Sequence, residues 1–222
     1  MKAVLNGLIL SLLILFVSCT SKEEGTRIKE EPYCTNKGYK NRDKIKYTEV
    51  DLNDTLDYLV ALKEGEKSYA YVNTNGDTII PINKYSSCYT DTLWTFGFFY
   101  NKDLGRLAGV DKRGEVLFDA VLFDNVVERV KDGMLIVEQN GLMGFANKYG
   151  EIVIPCQYEC ASSFNYSVAR VSKVCCVPNL DETHESPTSD NSIYINKEGE
   201  TVYEKGKFLL EVSDRTKNYI LN

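Results

Sequence analysis

The stretch GLMGFANKYGEIVIPCQYE, residues 141–159, decides the fold. Its middle, Asn147-Lys148-Tyr149-Gly150-Glu151, is turn chemistry. An Asn side chain bonds backbone N–H groups at a turn entry. A Gly takes the left-handed conformation that closes a three-to-five-residue hairpin. On either side lie Met143-Gly144-Phe145-Ala146 and Ile152-Val153-Ile154-Pro155, which read as short strands, and Tyr158 follows them.

The same order recurs in three other places. Asn73-Thr74-Asn75-Gly76-Asp77, Asp111-Lys112-Arg113-Gly114-Glu115 and Asn196-Lys197-Glu198-Gly199-Glu200 have Asn or Asp, two free residues, Gly and an acid. The turn glycines Gly76, Gly114, Gly150 and Gly199 stand 38, 36 and 49 residues apart (114 − 76, 150 − 114, 199 − 150). A period of this size signals a repeat architecture. Short strands flank each turn, and Tyr85, Phe123 and Phe208 match Tyr158. Upstream runs add one strand to each copy: 58–62, 98–100, 134–137 and 168–171. In the last copy the tight turn is swollen into residues 174–191, which lengthens the final interval. Each repeat is therefore a three-stranded meander, with a fourth strand expected in connections such as 87–95 and 121–129. The fold class is all-β: about four antiparallel repeats of three to four strands, stacked as a propeller-like ring or a curved open array.

Residues 141–159 resemble the bacterial WG repeat, with Met143 where Trp is usual, Gly144-Phe145, the Gly150 turn, and Ile152-Val153-Ile154-Pro155 leading to Tyr158. The copy around Gly76 keeps Ile80-Pro81 and Tyr85, and the other two keep only turn and period. The resemblance covers roughly residues 56 to 210. It implies all-β repeats exported to, or acting at, the cell envelope, and no shared catalytic activity.

The chain opens with Lys2 and an apolar run over residues 8–17 broken only by Ser11. A signal peptide has this form, whereas a membrane span needs about twenty apolar residues. Phe16-Val17-Ser18-Cys19 resembles a bacterial lipobox. The resemblance implies that a signal helix within residues 1–18 is removed, that Cys19 carries acyl chains such as palmitate, and that the membrane is a partner through them. Thr20-Ser21-Lys22-Glu23-Glu24 resembles the short export signal of surface lipoproteins, so the expected location is the outer membrane, on its periplasmic or external face. The expected domains are a signal peptide over 1–18, lipidated Cys and charged tether over 19–45, a repeat domain over 46–213 and a tail over 214–222.

The formal charge of −6 comes from interleaved acids and bases, which leaves no basic stripe for nucleic acid. Beyond Cys19 the chain holds Cys34, Cys88, Cys156, Cys160, Cys175 and Cys176. Export permits disulfides among them, and six cysteines allow about 15 pairings. Buried thiols account for the rest. Cys156, Cys160, Cys175 and Cys176 lack finger spacing and a ligand-spaced His, so no metal or other cofactor is expected. His184, the single histidine, lies in a polar insertion. The acids of residues 51–57 lack the Gly that a calcium loop needs, with Leu56 in its place. Asp119, Asp124 and Glu128 are the carboxylates an envelope hydrolase would draw on. No catalytic residue is expected. The best candidate binding surface is Trp94, Phe96 and Phe98, which alternation puts on one face with Phe99 on the other. The expected function is a non-catalytic interaction module with a protein or glycan partner. A structural subunit of an outer-membrane complex is the alternative.

Overall fold

The computed structural model describes residues 45–64, 68–86, 90–123, 125–175 and 191–222. The signal segment, Cys19, nearly all of the tether, Cys34, Cys88, Asp124, Cys176 and His184 lie outside the described residues.

The four meanders form as the periodicity requires. The first is β1 (Leu59–Glu64), β2 (Ser68–Val72) and β3 (Thr78–Ile80), with β4 (Thr92–Leu93) added on the other side of β1. The second is β5 (Phe96–Asn101), β6 (Arg106–Asp111) and β7 (Val116–Ala120), followed by β8 (Leu122–Phe123) and β9 (Val126–Val127). The third is β10 (Met134–Gln139), β11 (Leu142–Asn147) and β12 (Ile152–Tyr158). The fourth sheet runs β13 (Cys160–Ala161), β14 (Ala169–Ser172), β15 (Ile193–Ile195), β16 (Thr201–Glu204) and β17 (Lys207–Phe208). Pairing of β7 with β10, Val137 opposite Ala120 and Glu138 opposite Asp119, joins the second and third meanders into one six-stranded sheet. No sheet closes into a barrel.

The four turns share one hydrogen-bond pattern. Oδ1 of Asn73, Asp111, Asn147 or Asn196 accepts from the backbone N–H groups two and four residues on. The turn glycine N–H donates back to the carbonyl of the same Asn or Asp at 3.0 Å. The glycines have φ of 87°, 78°, 90° and 82°, where a Cβ would be strained.

Alternation along the strands gives each repeat two apolar faces. Leu59, Tyr71 and Ile80 of the first repeat pack on Phe99, Ala108 and Val110 of the second. Phe118, with the half-buried Phe96 and Phe98, packs on Leu135, Val137 and Ala146 of the third. Met134, Ile136, Phe145 and Ile154 of the third pack on Ala169, Val171 and Ile195 of the fourth. Burying one such Phe, Leu or Ile contributes about 1.5–3 kcal/mol. The stability of the array therefore resides in three like interfaces along a line.

The end of the line differs from the expected tail. Residues 214–222 contain a helix, α1 (Asp214–Leu221), capped by Ser213, whose side chain accepts from the Thr216 N–H. Thr216 Oγ1 donates to the Tyr166 carbonyl at 3.0 Å. Ile220 and Tyr219 cover the far face of the fourth repeat, Val168, Val202, Tyr194 and Tyr203. The stack is thus an open array whose last face is closed by a helix rather than by the first repeat.

Connections differ too. Residues 92–93 do add a fourth strand, to β1. Residues 121–129 do not: β8 and β9 pair only with each other. In the fourth repeat the connection strand β13 adds to the first strand β14. In the third repeat that edge, on β10, is already taken by β7.

Candidate interaction surfaces

The structure separates the three aromatic residues proposed as one surface. Phe96 and Phe98 lie between the second and third repeats, edge to face with Phe118 at 5.4 and 6.4 Å between ring centres. Phe99 points the other way and is buried against Tyr71 and Tyr85. Trp94 stands apart from them. It is 66% exposed and leans on Tyr58 at 4.7 Å. The alternation was right for β5; it fails at Trp94 because Trp94 precedes the strand.

The β8–β9 hairpin is the second apolar surface, and the sequence reading missed it. Leu122, Phe123 and Val126 are exposed there, from 40% to 60%, and Val130, just beyond β9, is 44% exposed. Phe123 and Val126 are the last paired residues, so the loop is two residues long and ends at Asn125, φ 62°. Asp124-Asn125 between two apolar pairs is the signal that would have found it. A two-stranded hairpin in water has little stability of its own.

The carboxylates weighed for hydrolysis have separate structural partners. Asp119, at 3% exposure, accepts from Arg106 Nε at 2.8 Å and from the Tyr47 hydroxyl at 2.8 Å. Burial, helped by Asp119, pushes the Tyr47 phenol up to about 12. Glu128 takes hydrogen bonds from Lys131, at 2.8 Å, and from Ser163. Burial acts to raise its carboxyl, and those two bonds outweigh it, so the group lies below the usual range.

Among the described residues, two of the cysteines are joined. Cys160 and Cys175 form a disulfide, Cα atoms 5.6 Å apart, which ties β13 to the start of the long insertion of the fourth repeat. Cys156 is a free thiol directed at the Val137 carbonyl. Burial first, then the Glu138 and Asp119 carboxylates, push it up to about 12, against a backbone bond from Gln139. A thiol so placed is inert. Among the described residues no group of His, Cys, Asp and Glu is arranged to hold a metal.

A stack of like β-meanders of this kind suggests a repeat-containing interaction module. The profile of the WG containing repeat matches residues 143–173, which span β11 to β14. This chain therefore carries a WG repeat, and the other three meanders repeat its geometry. Among curated proteins and among solved structures none matches the chain.

Proposed function

We propose that the protein is a lipid-anchored component of the bacterial cell envelope whose WG-type array binds another protein and performs no catalysis. The anchor reading is supported by the apolar run and Cys19 of residues 8–19. Acyl chains on one residue give stable attachment, because each buried CH2 contributes about 0.8 kcal/mol. The Cys160–Cys175 disulfide supports an oxidising compartment. The observation that carries the binding role is the β8–β9 hairpin, three exposed apolar side chains on a unit that no other strand among the described residues pairs with. Its occupant is a protein with an apolar cleft, which buries Leu122, Phe123 and Val126 together.

Two measurements test this reading. In fractionated cells the protein should follow the membrane pellet, and a Cys19→Ala variant should leave it; a membrane-bound variant refutes the anchor. Native electrophoresis of gently solubilised envelopes should show the wild type in a complex. Phe123→Ser with Val126→Ser should release it while leaving the melting temperature unchanged. An unaltered complex refutes the hairpin as the contact.

A further inference from the structure

Four two-residue loops among the described residues hold both central residues in the left-handed region. They are Asp132-Gly133, Asn140-Gly141, Tyr166-Ser167 and Lys205-Gly206, with φ from 49° to 82°. This is the backbone of the type I′ turn, which matches the twist of its flanking strands and favours Gly in second place. Three of the loops have that Gly. Tyr166-Ser167 has none, and a bulky side chain in this region is a backbone outlier. The loop is closed all the same, by the Asn165 N–H on the Val168 carbonyl at 2.8 Å and the Val168 N–H on the Asn165 carbonyl at 3.1 Å. Such a conformation persists only where its surroundings hold it.

Two clamps hold this one. The first is the segment that follows the β8–β9 hairpin. The Ser167 N–H donates to Asp132 Oδ2 at 2.8 Å. Ser163 donates to Glu128, and Lys131 Nζ reaches Glu128 at 2.8 Å and Ser163 at 3.4 Å. The Glu128 N–H in turn closes the base of the hairpin on the Val121 carbonyl at 3.1 Å. The second clamp is α1, which brings three groups to Tyr166. Thr216 Oγ1 donates to its carbonyl, and the Arg215 guanidinium and the Tyr219 ring lie 4.6 and 5.3 Å from its ring centre.

Asp132, Tyr166 and Ser167 are exposed, so water can take over their hydrogen bonds when a clamp lets go. The element with two states is α1. Its eight residues fall short of the about 12–15 that an isolated helix needs, so it is helical only while docked. Undocking removes the groups that hold Tyr166. The turn then relaxes, and Asp132 and Ser163 lose the positions that steady the base of the hairpin. No other strand among the described residues pairs with the hairpin to compensate.

We propose that the turn Asn165–Val168 is a strained latch through which docking of α1 sets how firmly the β8–β9 hairpin is presented. The inference rests on the hairpin as the partner contact. Linkage makes it reciprocal: a partner that holds the hairpin tightens α1.

Hydrogen exchange of the full chain in detergent reads the latch with no partner present. Ile220→Ser should undock α1 and speed exchange of the hairpin amides several-fold, while β1 and β2 of the first repeat keep their wild-type rates. Adding Tyr166→Asn with Ser167→Gly, a pair that forms the turn unaided, should return hairpin exchange to the wild-type level although α1 stays undocked. Hairpin exchange that Ile220→Ser leaves unchanged, an equal rise in β1 and β2, or a rise that the two turn substitutions do not reverse overturns the proposal. A complex that survives Phe123→Ser with Val126→Ser, beside exchange that behaves as stated, refutes the contact and supports the latch.

Discussion

Asp111→Asn should stabilise the protein, and the gain should depend on pH. In the other three turns the Asn side chain uses both ends. Its oxygen accepts two backbone bonds, and its Nδ2 donates to the acid four residues on, at 3.0 Å to Asp77, 2.8 Å to Glu151 and 2.8 Å to Glu200. Asp111 keeps the two backbone bonds but has no N–H to offer Glu115, whose charge acts against its own. It does so at 8% exposure. Burial, with Glu115 adding to it, holds the Asp111 carboxyl above its ordinary 3.8 despite bonds from Glu115 and Arg113. Asparagine adds one hydrogen bond, worth about 0.5–1.5 kcal/mol net. Exposure of Glu115 and loss of the Arg113 attraction reduce this, leaving about 1 kcal/mol at neutral pH. For a protein of this size that is about 2–4 °C in Tm. The native state binds the Asp111 proton more tightly than the unfolded chain does. Wild-type stability from this group is therefore full below the ordinary carboxylate value and is lost as pH rises through the native one. Paired urea titrations across that range should show the variant's advantage vanish at the acid end and reach its full size above the native value. An advantage of the same size at every pH, or none at neutral pH, would refute the reasoning.

Gly144→Ala should cost at least about 1–3 kcal/mol by overpacking. The new Cβ would lie 2.6 Å from the Ile154 carbonyl and 2.7 Å from the Cys156 nitrogen, both backbone and neither able to swing away. An unchanged urea midpoint would show that the β11–β12 bulge relaxes freely. Reducing Cys160–Cys175, which closes a separation of 15 residues, should lower stability by about 3 kcal/mol. Melts with and without reductant that coincide in the wild type, as they should in a Cys160→Ser control, would contradict a closed disulfide in the native protein.

Period and turn chemistry were enough to read the four meanders, because both are local: an Asn, a Gly and a change of hydrophobic rhythm act within one hairpin. What lay beyond them depended on which strand edges remain free. Residues 121–129 carry the apolar alternation of a fourth strand, yet Asp119 and Ala120 have given β10 its neighbour, and the connection folds on itself instead. The last nine residues looked like a tail because their own sequence is polar. Their helix exists by virtue of the face it covers, through Ile220 and Tyr219. The aromatic run 94–100 could be split into two faces but not assigned to core or surface, since burial of Phe96 and Phe98 is decided by the third repeat.

The absence of the strand aromatic from the second meander has a physical cause too. Tyr71, Phe145 and Tyr194 each come five residues before their turn glycines, Gly76, Gly150 and Gly199, and Gly109 holds that place in the second repeat. The missing ring is supplied from across the strand pair. Phe118 is the register partner of Gly109, and a Cβ on Gly109 would come within 2.2 Å of the Phe118 ring. Its counterparts Ile80 and Ile154, also four residues past the turn glycine, are smaller and leave room for the aromatic opposite. The second repeat thus conserves the volume between its strands while exchanging which strand provides it. A core selects for filled space rather than for a residue at an index, so repeats that stack alike can lose the sequence signature that names them.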